Sequence, residues 1–311
     1  MRATESGCAT RQAQLWLGTI VEIFAAAGSQ RTLDAGVAAA FAAIARVHRA
    51  LSVHDAESEL SRVNRHAYAQ PQPIGEDLRQ VLACALDVAE RSDGAFDPSV
   101  GSAVAALGFL PAQPPTDPDA SWRDIHLTGD GVRFARPLAL DFGGIAKGYA
   151  VDCAVDALRE HGVHGGSVNA GGDLRVFGPD AEPIHVRTGG PQGVTLPLVE
   201  IADGAVATSA YGGHRKRVDG RWATPLVDPR SSLPIMSTRT VSVVAATCMV
   251  ADALTKVVAL RGRAASAALR AYGASATVLS PATGRWRCMR LPAPAPAAPS
   301  RVPARRAALP V

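Results

Sequence analysis

A chain of 311 residues that is 47% hydrophobic and 19% charged holds enough apolar material for one large core or two small ones, and a mean hydropathy of +0.08 excludes both wholesale disorder and a membrane bundle. A net charge of +4 from 32 basic and 28 acidic side chains, with 5% aromatics that do not interleave with Arg and Lys, leaves no nucleic-acid footprint. Five scattered cysteines, Cys8, Cys84, Cys153, Cys248 and Cys288, have no paired spacing and argue against a disulfide framework.

The N-terminal stretch carries Glu5 before any apolar run and Glu22 within the first one, unlike a secretory signal. No run reaches the roughly 18 apolar residues of a spanning helix, so the expectation is a cytoplasmic protein without a membrane span. Residues 1–14 read as a flexible leader. Leu15 to Ala25 alternates loosely and is rich in branched side chains, which predicts a first strand. From Thr32 to Leu51, Val37, Phe41, Ile44 and Val47 recur at steps of three and four and predict a helix; Leu78, Val81, Leu82 and Leu86 do the same from Gly75 to Arg91.

A Pro- and Asp-rich loop over Pro111 to Ser121 precedes a hairpin predicted between Ile125 and Leu140, turning around Gly129, Asp130 and Gly131. A helix is expected from Ala146 to Gly162, where the glycine supplies the stop. Glycine-punctuated strands fill Ser167 to Ala246, and helices follow at Met249 to Leu260 and Ala264 to Ala271. From Leu291 onward the Pro- and Ala-rich sequence predicts a disordered tail, 291–311. Strands and helices interleave without regular alternation, so the fold class is α+β with antiparallel sheet, in one domain spanning 15–290.

Four clusters carry chemistry. Leu140 to Tyr149 (LDFGGIAKGY) runs a strand through two glycines into a helix, with Lys147 in the first turn, a geometry for a phosphate. A tight turn without ligand explains it about equally well. Ser92 to Gly101 (SDGAFDPSVG) is dense in turn formers, and Asp97 before Pro98 reads first as a turn initiator and second as a ligand contact through Ala95, Phe96 and Asp97. Asp252 stands in an apolar helix and needs a partner: magnesium, an ion pair or a helix end. Ala207 to Tyr211 and Asp228 to Ser232 read as strand-edge turns. The histidines, His161, His164 and His185 among them, read as surface residues, and Cys84, Cys153 and Cys248 as core packing.

In their order along the chain these clusters resemble the ApbE family of FAD:protein FMN transferases. LSVHDAESELSRVN (51–64) is similar to the family's serine-rich segment, GAFDPSVG to its FAD-contacting loop, LDFGGIAKGYAVD to its central signature, NAGGDLRVFG to its glycine-rich strand and ADAL to its metal helix. The resemblance implies an ApbE-like, T-fold-related fold and a magnesium-dependent reaction that splits FAD, releases AMP and attaches FMN through a phosphoester to a Thr or Ser of an acceptor protein. An impaired FAD-binding module, or an FAD pyrophosphatase giving FMN and AMP, is the alternative it leaves.

Carried over by position, the resemblance implies flavin-site roles for Leu17, His54, Ala95, Phe96, Asp97, Asp141, Lys147, Gly171, Gly172 and Leu226. Asp252 and Lys147 are implied to be catalytic. Magnesium is assigned to Gly144 and Asp252, with Thr255 and Lys256 as candidates where the family has a hydroxyl, four residues beyond the Asp. Lys256 departs from that pattern, since an ammonium repels a metal ion, and so do Pro225, Ala210 and Ser231-Ser232 at other family positions.

Overall fold

The computed structural model describes residues 7–188, 193–210, 215–283 and 285–292. In chain order it contains β1 (Cys8–Trp16), β2 (Thr19–Ala27), α1 (Gln30–Leu51), α2 (Glu59–His66), α3 (Glu76–Arg91), α4 (Gly101–Ala106), β3 (Ile125–Thr128), β4 (Gly131–Phe134) and α5 (Ala146–Glu160). There follow β5 (Gly165–Ala170), β6 (Asp173–Phe177), β7 (Glu182–Arg187), β8 (Thr195–Ile201), β9 (Gly204–Ala210), β10 (Lys216–Val218) and β11 (Arg221–Ala223). The chain then forms β12 (Thr240–Ala245), α6 (Cys248–Arg261), α7 (Ser266–Ala271), β13 (Ser275–Ala282) and β14 (Arg285–Leu291).

The fold is α+β. Eight strands pair antiparallel in the order β1-β2-β5-β6-β9-β12-β13-β14, and three two-stranded ribbons, β3-β4, β7-β8 and β10-β11, stand beside that sheet. Helices α1 and α5 cover one half: Leu33, Val37, Phe41 and Ile44 meet Val151, Val155 and Leu158 over Val21, Ile23 and Val168. Helix α6 covers the other half, where Leu254, Val257 and Val258 join Val241 and Val243 of β12 and Leu78, Val81 and Leu82 of α3. The opposite face carries a smaller cluster of Val176, Ile201 and Val206 beneath β7 and β8.

Two expectations are corrected at the N-terminus. Residues 1–6 lie outside the described residues, but the leader expected to reach residue 14 is strand from Cys8 onward. The expected strand over Leu15 to Ala25 is instead the turn and one arm of a hairpin, in register from Cys8↔Ala27 to Trp16↔Thr19. The side chains of CATRQAQLW are mostly exposed, so no apolar alternation announces β1; backbone pairing with β2 holds it. Its two-residue turn places Leu17 at φ 56° and Gly18 at φ 72°, the backbone a primed hairpin turn demands.

The tail expected from 291 is corrected at its first residue, since Leu291 closes β14 and pairs with Ala276; residues 293–311 lie outside the described residues. Helices α2 and α4 were not expected. Helix α2 is short and strongly polar, and its N-cap Ser58 accepts from Ser61 N. No helix among the described residues is long and apolar enough to cross a membrane.

Helices α5 and α6 approach unusually closely because residue 148 lacks a side chain. A Cβ built on Gly148 would lie 2.3 Å from the Cys248 carbonyl oxygen. Asp152, one turn further along α5, accepts from the N–H groups of Cys248 (2.9 Å) and Met249 (2.8 Å), which fastens the start of α6 to α5. Replacing Gly148 with Ala should therefore force the helices apart and lower stability by about 2 kcal/mol, read from the urea midpoint at constant slope; an unchanged midpoint would show that the crossing is not tight.

Candidate active site

A cleft of about 1030 Å³ opens where the hairpin turn of β1-β2, the loop before α4, the turn before α5, the β5-β6 turn and Lys256 of α6 come together. Asn64 of α2 sets one wall by gripping both backbone groups of Leu140: its Oδ1 accepts from Leu140 N at 2.8 Å and its Nδ2 donates to Leu140 O at 3.0 Å. Asp141 N then donates to Pro98 O at 2.8 Å, tying the 140–144 turn to the 95–101 loop. Helix α4 presses on the same segment, since a Cβ on Gly101 would sit 2.7 Å from Ala139 O.

Both aspartates of this wall shape their own turns. Asp141 Oδ1 accepts from Gly143 N at 2.8 Å. Asp97 Oδ1 accepts from Ser99 N (2.8 Å) and Ser99 Oγ (2.6 Å), while its Oδ2 takes Trp122 N at 3.3 Å. Burial pushes both carboxyl groups above the ordinary aspartate range, against these hydrogen bonds. The turn-forming reading of Asp97 is thus satisfied, and Asp97 also lines the cleft.

The residues singled out in the sequence converge. Leu17, His54, Ala95, Phe96, Asp97, Asp141, Gly144, Lys147, Gly171, Gly172, Leu226 and Lys256 all line the cleft. Leu17 reaches it from a left-handed backbone that a bulky residue rarely adopts. Gly171 and Gly172 are left-handed too, at φ 65° and 104°, and a Cβ on Gly171 would lie 2.6 Å from Thr19 Oγ1. His185, read from sequence as a plain surface residue, is exposed but belongs to the cleft wall, beside Arg187.

Asp252 does not face the cleft. It lies fully buried beneath it, inside a cluster of two carboxylates and two ammonium groups. Lys256, one turn further along α6, donates to Asp252 Oδ1 and to Asp252 O at 3.1 Å. On the other side Lys147 stands 4.0 Å from Asp252 Oδ2, and Gly148 N donates to that oxygen at 3.4 Å. Lys147 in turn pairs with Asp173, the first residue of β6, which is 2% exposed.

Electrostatics follow from that geometry. Burial disfavours the charge on Asp252, but Lys147 and Lys256 prevail and hold its carboxyl below the ordinary range. Asp173 goes the other way: burial and the neighbouring Asp252 charge push it up to about 6 despite Lys147. Burial opposes the Lys147 ammonium as well, yet Asp252 and Asp173 outweigh it and raise its pKa. Elsewhere, burial pushes the Cys84 thiol up to about 12 and Cys153 to about 11, so neither is a nucleophile near neutrality, in keeping with a packing role.

The sequence did not single out Asp173 or Asp152. Asp173 follows the glycine pair in NAGGD, where a carboxylate at the head of a strand was the available signal. Asp152 lies four residues after Gly148, on the buried face of α5, and holds Arg175 at 2.9 Å while capping α6. Asn64 likewise passed as part of a serine-rich stretch.

As the side chains stand, the donor set at Asp252, with Thr255 and Lys256 beside it, does not fit a divalent cation. Magnesium needs several hard oxygen ligands around it. Here the Lys256 ammonium, which has no lone pair to give, occupies Oδ1. The Thr255 hydroxyl is buried, donates to Asp252 O at 2.7 Å and contacts Ser209 Oγ at 2.9 Å. A Cβ built on Gly144 would meet Lys256 Cε at 3.2 Å, so the lysine stem lies across the gap between the glycine turn and Asp252. Among the described residues no group of three or more His, Cys, Asp or Glu side chains could hold a metal ion.

This antiparallel sheet packed by helices shares its fold with solved ApbE proteins. The flavin transferase ApbE of Vibrio cholerae superposes with a TM-score of 0.77 over 91% of this chain and 97% of that one, at 23% identity. An ApbE protein of Thermotoga maritima gives 0.76 over 91% and 97%, at 25% identity. In sequence, the FAD:protein FMN transferase of Vibrio cholerae is 32% identical over 227 residues, 67% of this chain and 68% of that protein. The enzyme of that name from Rhodobacter capsulatus is 30% identical over 225 residues, which is 67% of this chain but 43% of that longer protein. Residues 17–278 match the ApbE family. The chain belongs to the ApbE family, and by that membership it is a transferase.

Asp252→Ala should leave two ammonium groups beside a void and cost about 3 kcal/mol of folding stability, measured by urea denaturation in EDTA. Adding Lys256→Met should recover a large part of that loss, because the pair acts as a unit. Additive losses would mean that Lys256 and Asp252 do not interact.

Proposed function

We propose that this chain is a FAD:protein FMN transferase, which cleaves FAD, releases AMP and joins FMN by a phosphoester to a threonine or serine hydroxyl of an acceptor protein. The observation that carries the reading is the cleft itself. Its volume of about 1030 Å³ lies at the top of the range of about 300–1,000 Å³ usual for small-molecule sites, which suits a dinucleotide. Its walls combine Gly143, Gly144 and Lys147 with apolar surface from Phe96, Val104, Phe109 and Leu226.

That division of surface matches the two chemistries of FAD. The flavin and adenine rings need apolar walls, and the diphosphate needs backbone that can approach closely together with positive charge. Gly143 and Gly144 put side-chain-free backbone on the cleft wall, and Lys147 and Lys256 bring ammonium groups to it. Arg187 and Arg215, both on the cleft wall, add positive charge at its mouth.

In the reaction, the acceptor hydroxyl oxygen attacks the phosphorus of the FMN half. The bond from that phosphorus to the oxygen bridging the two phosphates breaks, AMP departs with the bridging oxygen, and the hydroxyl proton is released. The chain contributes alignment and charge stabilisation rather than a covalent intermediate. Lys147 is the group placed to meet charge developing on the diphosphate, held there by Asp173 and Asp252. The magnesium dependence implied by the resemblance enters no step, because Lys256 stands on the carboxylate that would hold the ion.

The test is incubation of the purified chain with FAD and an acceptor domain, followed by in-gel flavin fluorescence of the denatured acceptor and chromatography for AMP. Covalent fluorescence with stoichiometric AMP is the expected outcome; AMP and free FMN without labelled acceptor would make the chain a pyrophosphatase, and unchanged FAD a carrier. Lys147→Ala should reduce the transfer rate on the order of a hundredfold. A variant with an unaltered rate would remove Lys147 from the reaction.

A further inference from the structure

We infer that Lys256 is a built-in substitute for the divalent cation at this site, so that the ammonium groups of Lys256 and Lys147 together hold the diphosphate and the chain transfers FMN without a metal ion. The inference rests on the flavin-transfer reading above and specifies the charge that reading requires.

Three observations lead to it. First, Lys256 occupies the place and not merely the neighbourhood: its Nζ binds Asp252 Oδ1 and Asp252 O, and its stem crosses the Gly144 turn at 3.2 Å from where a Cβ would stand. A cation bridging the glycine turn and the Asp252 carboxylate would have to displace it. Second, positive charge already stands on both sides of the carboxylate: Lys256 serves one oxygen of Asp252 and Lys147 faces the other at 4.0 Å. Third, both groups reach the cleft while their carboxylates stay beneath it. The Lys147 and Lys256 side chains are 33% and 17% exposed, against 2% for Asp173 and 1% for Asp252.

The arrangement has a chemical consequence. A bound metal ion is exchangeable and can arrive with the substrate, whereas an ammonium on a helix is permanent and already oriented by its ion pair. It donates hydrogen bonds to phosphate oxygens as a compact point charge. Thr255 keeps its hydroxyl on Asp252 O and near Ser209, so no oxygen from the same turn competes for the lysine's position.

Titration of the purified full chain with Mn2+, with free ion followed by electron paramagnetic resonance, tests the inference independently of catalysis. The wild type should show no stoichiometric site in the micromolar range, with or without FAD. Lys256→Thr, which restores a hydroxyl, should tighten Mn2+ binding roughly 10- to 100-fold and make FMN transfer dependent on Mg2+, while wild-type transfer proceeds unchanged in EDTA. Lys256→Met, which keeps the stem and removes the charge, should lose transfer on the order of a hundredfold, with no rescue by Mg2+. One Mn2+ bound per wild-type chain and lost in Asp252→Asn would overturn the inference, as would wild-type transfer abolished by EDTA. Failure to bind FAD under any condition would count against flavin transfer alone, since the Mn2+ titration decides the metal question without it.

Discussion

A carboxylate with no access to solvent must be compensated by positive charge, and at Asp252 that requirement organises the elements that form the cleft. The compensation comes from two helices. Lys256 lies one turn along from Asp252 on α6, while Lys147 comes from the first turn of α5 and can reach only if the helices nearly touch. Gly148 permits that contact and Asp152 fastens it, so a missing side chain and a helix cap are the structural conditions for a charge pair. Because Lys147 follows the Gly143-Gly144 turn within the same few residues, fixing the ammonium also fixes the turn.

The second constraint runs through Asp173. The β5-β6 turn can close only over glycine at 171, where any side chain would strike Thr19, and that closure delivers Asp173 to the underside of Lys147. The sheet therefore contributes an anion to the same cluster that the helices supply with cations. Helix α2 acts at a distance: Asn64 grips Leu140 from both sides and sets the level at which Asp141 and the glycines enter the cleft. The 140–144 and 95–101 walls are each held by a polar side chain satisfying backbone groups.

Much of this was legible in the sequence where periodicity or local pattern carries it. The stripes of α1 and α3 emerge from apolar spacing, and Asp252 was conspicuous as a carboxylate in an apolar helix. Its pairing with Lys256 went unnamed, although the four-residue step allows it. What stayed hidden depends on pairing at long sequence separation. Strand β1 is polar and mostly exposed, and owes its structure to hydrogen bonds with β2. Helices α2 and α4 are too short to show a period. Asp173 and Asp152 looked like ordinary charges beside a turn and on a helix, since their partners lie 26, 23 and 96 positions away.

Sequence also separates the two ways a site can carry positive charge. At residue 256 a hydroxyl adds one oxygen to a metal's shell and leaves the ion to be supplied, whereas a lysine supplies charge and hydrogen-bond donors but removes the vacancy. These outcomes exclude one another at a single carboxylate, because an oxygen of Asp252 that accepts from an ammonium is not free to serve a divalent ion with full effect. Lysine at this position is tolerable only because its stem finds room over Gly144, which has no side chain to oppose it. The glycine turn thus gives the compensating cation its path across the cleft floor.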